Sequence, residues 1–259
     1  MIASALSIFQ FFHCSTVIMA LPLTVSNVFL LLKEFLTVWC YQILYYNEVY
    51  PAEVFMKAKS FDSVVYCSRN PLLTEYFDGL ITRFLKILIE GNGRDNGGRV
   101  NSLLMVLYDT RDNTAKEHYI LQFSEMVHLG PAMNSEFLNK TPSDLYDKES
   151  LAILDIPNFT WTDLYGQLRM VLFNLLTELR KKRSHMDAQE KEFLFYKVLV
   201  DLDDTVDLNI AEEENGGSPW VRLNSTTMEE SSSANVKIAS LGEVSAGFVS
   251  VGAHNKYLK

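Results

Sequence analysis

Residues 28–55, VFLLLKEFLTVWCYQILYYNEVYPAEVF, constrain the fold more than any other stretch. Large side chains recur at helical spacing: Phe29, Leu32, Leu36, Trp39, Ile43, Tyr46 and Tyr50. Polar interruptions are confined to Lys33, Glu34, Gln42, Asn47 and Glu48. A helix apolar on most of its circumference has to be surrounded, so the stretch predicts the central core helix of a domain. Pro51 has no amide hydrogen and disfavours helix in the residue before it, which predicts an end near Tyr50.

The rest of the composition narrows the function classes. A net charge of −9 argues against a chain that grips nucleic acid by itself, because phosphate binding needs a basic surface. It suits a protein whose partners are proteins. The three cysteines (Cys14, Cys40, Cys67) are odd in number and far apart, which predicts reduced thiols rather than a disulfide framework. No Cys/His spacing resembles a zinc site, and no cofactor is expected.

Residues 1–27 form an apolar N-terminal extension, with no charged residue before Lys33. They read three ways: a signal peptide, a membrane anchor, or an over-extended start. A signal peptide lacks its positive n-region here. A clean span is diluted by Gln10 and His13 and broken by Pro22.

After Pro51, residues 61–67 (FDSVVYC) predict a short strand or hairpin. Asn70-Pro71 opens a second helix, with Asn as cap and Pro at the first helical position. Its apolar face is Leu73, Phe77, Leu80, Ile81, Phe84 and Leu88, and it ends at Gly91. The glycine-rich run 91–99 follows a helix and has the spacing GxGxxxG, so it reads as a connection and not as a phosphate-binding loop. Residues 100–108 and 117–123 predict a hairpin around the turn 109–115, and 124–156 reads as loop.

A third helix is signalled by a capping box, Thr160 and Asp163, with Phe159 placed as a hydrophobic staple on Leu164. Leu164, Leu168, Val171, Leu172, Leu175, Leu176 and Leu179 form its buried stripe. The closing run Arg180, Lys181, Lys182, Arg183 reads as favourable charge at a helix C-terminus or as a nuclear signal. Residues 192–202 predict a strand. Seven acids then fall between Asp201 and Glu214. The isolated patch SPWVRL at 218–223 places Trp220 either as a satellite core contact or as a clasp over a bound segment. Residues 236–251 turn apolar again and predict a closing strand. There is no nucleophile elbow, no HExxH and no P-loop, and the histidines (His13, His118, His128, His185, His254) are scattered. Nothing supports an enzyme.

Four stretches carry a resemblance: ILYYNEVYPAEVF at 43–55, NPLLTEYFDGLI at 70–81, HYILQFSE at 118–125, and SPWVRL with VKIASL at 218–223 and 236–241. Together they resemble the HORMA-domain family, and within it most the accessory, non-catalytic subunits of translesion DNA polymerase zeta. The resemblance implies an α+β fold, with three main helices packed on a mostly antiparallel sheet. Residues 28–259 would be the HORMA domain, 28–200 its core and 201–259 a C-terminal safety belt. It also implies a nuclear adaptor that traps a peptide of the polymerase zeta catalytic subunit under the belt; the alternatives are a checkpoint or meiotic HORMA adaptor with a different client peptide, or a membrane-tethered protein. Tyr76 and Trp220 would line the channel. A translesion scaffold polymerase and a second HORMA domain are the further partners it implies. The extension at 1–27, the acidic and Ser-rich insertions, and the glycine-rich closing strand (Gly242, Gly247, Gly252) depart from the family pattern.

Overall fold

The computed structural model describes residues 22–91, 100–126, 156, 158–183, 193–202, 236–246 and 249–258. The first helix, α1 (Val25–Tyr46), starts where the Thr24 hydroxyl accepts the Asn27 amide at 3.2 Å. Its side chains Val28, Phe35, Trp39, Ile43 and Leu44 are buried. The helix touches α2, α3 and the strand β2 described below, so it is the central core helix. By length and composition it passes for a membrane span, yet here it lies inside the fold.

α1 ends at Tyr46, short of Tyr50. Asn47 is the reason. Its amide and its side-chain Nδ2 both donate to the Ile43 carbonyl, and Glu48 then turns left-handed at φ 56°. Pro51 marks the last place the helix could end, and Asn47 ends it sooner.

A 3-10 turn (Ala52–Val54) leads into β1 (Phe55–Ser60) and β2 (Ser63–Ser68), a two-stranded hairpin. Phe61 and Asp62 both have positive φ, 48° and 54°, the geometry of a type I′ turn that matches strand twist. The second helix, α2 (Pro71–Gly91), opens with the Leu72 amide donating to Asn70 Oδ1 at 3.0 Å. Leu73, Phe77, Ile81, Phe84 and Leu88 are buried as expected, and Leu80 is half-buried. Lys33 of α1 pairs with Asp78 of α2 at 2.7 Å.

β3 (Val100–Asp109) and β4 (Ala115–Met126) form the expected hairpin, with β4 running longer than 117–123 at both ends. The third helix, α3 (Trp161–Arg183), carries its capping box: the Thr160 amide donates to Asp163 Oδ2 at 2.8 Å, and the Asp163 amide to Thr160 Oγ1 at 3.4 Å. Every residue of the predicted stripe from Leu164 to Leu179 is buried.

β5 (Leu194–Leu202) follows. The closing segment departs from expectation. It is a hairpin, β6 (Val236–Ser245) and β7 (Val249–Leu258), not one strand ending at Val251. Residues 252–258 are too polar to announce a buried strand, but Asn255 is fully buried. The five-stranded sheet has the order β5-β3-β4-β7-β6, each neighbouring pair antiparallel. The C-terminal hairpin therefore docks on β4. The residues 203–235 before it, Trp220 included, lie outside the described residues, as do 92–99 and 1–21.

Candidate peptide-binding edge

β5 bonds to β3 on one side and, among the described residues, to no strand on the other. An open edge is a row of backbone donors and acceptors ready to pair with an extended chain. Alternation along β5 divides its side chains. Tyr196, Val198, Val200 and Leu202 pack against the core, while Phe195, Lys197 and Asp201 are exposed on the other face. Lys197 Nζ sits 4.3 Å from the centroid of the Tyr108 ring, a cation–π contact.

Aromatic rings tie this edge to α1 and α2. Phe77 stacks on Tyr196 with centroids 6.0 Å apart, and Tyr41 meets Phe77 edge-on at 5.5 Å. The Tyr50 and Tyr196 hydroxyls are 3.4 Å apart. Tyr76, singled out from the sequence, lies on the outer side of α2, 48% exposed, its ring edge-on to Phe77 at 5.1 Å. Leu72, one turn earlier, is 75% exposed. Partial burial, with Cys40 and Tyr50 nearby, raises the Tyr76 phenol above its usual range. Burial, then the Tyr50 hydrogen bond, raises Tyr196 further. With their pKa values raised, Tyr76 and Tyr196 stay neutral at physiological pH and can serve as hydrogen-bond donors.

Of the two residues expected to line a channel, the structure places Tyr76 beside the β5 edge, and Trp220 lies outside the described residues. Sequence reasoning missed Tyr50, Phe77 and Tyr196 as neighbours of that edge. The usable signal was an exposed aromatic, Tyr76, directly beside the buried stripe of α2.

A second cluster lies on β4, two strands in from β5. Tyr119 donates to Glu117 Oε2 at 2.6 Å and receives Asn47 Nδ2 at 2.9 Å. Lys182 reaches Glu117 and the Asn47 side-chain oxygen from α3. The neighbours of Lys182 are also engaged: Arg180 Nε donates to the Tyr46 hydroxyl at 3.1 Å, and Lys181 pairs with Glu178 at 2.9 Å. Arg180 and Lys182 are thus built into the fold at the C-terminus of α3. Cys40 and Cys67 are buried free thiols, both pushed up by burial, Cys67 to about 12. Among the described residues no group of three or more His, Cys, Asp or Glu side chains could hold a metal ion.

The comparisons fit this geometry. The structure resembles a chain of the mitotic checkpoint complex, at TM-score 0.56 and 11% identity, over 90% of this chain and 98% of that one. It also resembles Caenorhabditis elegans HTP-2 bound to a HIM-3 closure motif, at TM-score 0.58 and 9% identity, over 92% and 93% of the two chains. The fold is that of a HORMA domain, α+β with three helices on a mostly antiparallel sheet. In sequence, the chain is 36% identical over 59 residues to the DNA polymerase zeta processivity subunit of Schizosaccharomyces pombe. That match spans 23% of this chain and 28% of the relative's length. No family model matches the chain.

Proposed function

We propose that this chain is a non-catalytic adaptor of translesion DNA synthesis. It clamps an extended peptide of the polymerase zeta catalytic subunit along β5 and bridges it, in the nucleus, to another translesion polymerase. The observation that carries the reading is the strand order. With the C-terminal hairpin docked on β4, the β5 edge has, among the described residues, no strand beside it, and half-exposed Tyr76 packs on the Phe77 ring that stacks on Tyr196 of β5. A peptide added there gains main-chain hydrogen bonds from β5 and side-chain contacts from α2. Tyr76 and Trp220 are its aromatic anchors, each with a polar tip for one directed hydrogen bond. The segment 203–235 joins β5 to the docked hairpin, so it supplies the belt across the peptide. Release then requires local opening of the belt, which gives slow dissociation.

The similarity to the fission-yeast processivity subunit supports polymerase zeta as the client. Co-expression of the full chain with fragments of the catalytic subunit, followed by size-exclusion chromatography, tests this. A stable complex, weakened by at least tenfold in Tyr76→Ala/Trp220→Ala, is the expected result. Unchanged binding in that variant would remove both residues from the channel. Binding only to a closure motif of the kind seated on HTP-2 would keep the clamp and change the pathway.

A further inference from the structure

Of the two strands of the closing hairpin, β7 is buried along most of its length, whereas β6 buries only Leu241 and Val244. β6 presents exposed Val236 and Ile238 and a glycine at its bulge, and few of its residues are buried. Strand pairing with β7 accounts for one side of β6. The other contacts come from α3, which lies along it.

Those contacts go to backbone. Between Ser240 and Gly242 the register shifts, so Leu241 has no partner on β7. Its carbonyl is taken by Asn174 Nδ2 at 2.7 Å. Gly242 adopts φ 119°, which side-chain-bearing residues rarely reach, and a Cβ there would sit 3.7 Å from Val171 and 3.9 Å from Asn174. Farther along, Gln167 grips both polar groups of Ser245. The Ser245 amide donates to Gln167 Oε1 at 2.6 Å, and Gln167 Nε2 donates to the Ser245 carbonyl at 3.2 Å. A side-chain amide thus stands in for a neighbouring strand. Gln167 and Asn174 are seven residues apart, two helical turns, so one stripe of α3 presents both.

We propose that Gln167 and Asn174 form a polar clasp on α3 that sets how much of the time the C-terminal hairpin is docked. The clasp reads backbone and bulge geometry, not side-chain identity. It reinforces a strand that buries two large apolar side chains of its own, Leu241 and Val244. Its consequence for the lifetime of a clamped peptide rests on the adaptor reading above.

Hydrogen–deuterium exchange on the full chain tests the clasp. Wild type is compared with Gln167→Ala/Asn174→Ala and with Asn174→Asp, which keeps the volume and loses the donor. Amides of 236–258 should exchange about tenfold faster in the double variant, Ser245 above all, with β3 and β5 unchanged. Asn174→Asp should show the same pattern, centred on 240–244. No change in 236–258 overturns the proposal, and so does uniform acceleration across the sheet, which would report general destabilisation. A second readout is dissociation of the catalytic-subunit fragment used above, which should speed up in step with exchange. Faster exchange in a protein that binds no such fragment supports the clasp and tells against the adaptor reading. Peptide release unchanged despite faster exchange overturns the clasp's role in retention.

Discussion

The two edges of the five-stranded sheet are built on opposite principles. At β6, α3 supplies amide side chains that take up backbone groups, so the edge strand is held by polar contacts and few of its side chains are buried. At β5, the side chains do the anchoring: Tyr196, Val198, Val200 and Leu202 pack inward, and Phe77 stacks on Tyr196. The outer backbone of β5 is left, among the described residues, without a strand. An exposed edge invites uncontrolled pairing, and proteins usually blunt it with charge, proline or a covering element. Here one edge is covered by a helix. The other carries Lys197 and Asp201 as its exposed charges, and exposed Phe195 lies on it. That asymmetry suits the proposed clamp: a strand pair held by polar contacts on one side, and an edge anchored by its side chains on the other.

The largest effect should come from the rigid side. Phe77 is fully buried between Tyr41 and Tyr196. Phe77→Ala should cost about 3–5 kcal/mol, read by equilibrium urea unfolding. A loss under about 1 kcal/mol would mean that the aromatic stack is not what fixes β5, and the contrast between the edges would fail on that side.

The next effect belongs to the far end of the hairpin. Glu117 faces Tyr257 across the β4–β7 pairing, and Lys182 lies 5.8 Å from the Tyr257 ring. Side-chain exposures of 17% for Lys182 and 10% for Glu117 leave the pair little water. Lys182→Met strands the carboxylate, and should cost about 2–3 kcal/mol after allowing for residual solvent. Adding Glu117→Gln should recover most of that, because the unpaired charge is gone. A double variant no better than Lys182→Met would show that the lysine acts through packing. The same measurement separates this site from the clasp, since Gln167 and Asn174 carry no charge.

Legibility in the sequence followed how each element is held. The apolar stripes of α1, α2 and α3 were readable because burial repeats at helical spacing, and all seven stripe residues from Leu164 to Leu179 are buried. Asn70 and Thr160 announced their helices because capping is local chemistry. The early end of α1 was not readable, because Asn47 serves a cluster whose other members are 70 or more residues away in sequence. β7 was missed for the same reason: Asn255 and Tyr257 look like surface residues until Tyr119 and Lys182 are beside them. The basic run had two readings in the sequence, and only the fold shows Arg180 and Lys182 bonded into the interior. Of the candidate site, Tyr76 was legible, whereas the neighbours it gains from α1 and β5 depend on tertiary contact.

The smallest effect should appear in acid, again at the β5 side. The Arg111 guanidinium, helped by the Arg111 amide, holds the Asp109 carboxyl down at about 2, against an ordinary 3.8. Arg111 also lies 4.7 Å from the Phe193 ring, and the Thr110 amide donates to the Phe193 carbonyl at 2.9 Å. The β3–β4 turn therefore fastens the start of β5. A carboxyl with a lowered folded pKa stabilises the native state above its unfolded pKa. That contribution falls away as pH drops from about 4 through about 2. Thermal midpoints of wild type and Asp109→Asn should accordingly differ at pH 5 and converge near pH 2. Exchange should rise with acid first at 109–115 and the first residues of β5, ahead of β6. A gap that persists undiminished at pH 2 would mean that the shape of the turn, not the charge on Asp109, fastens this edge. The two edges would then differ in their partners but not in their response to pH.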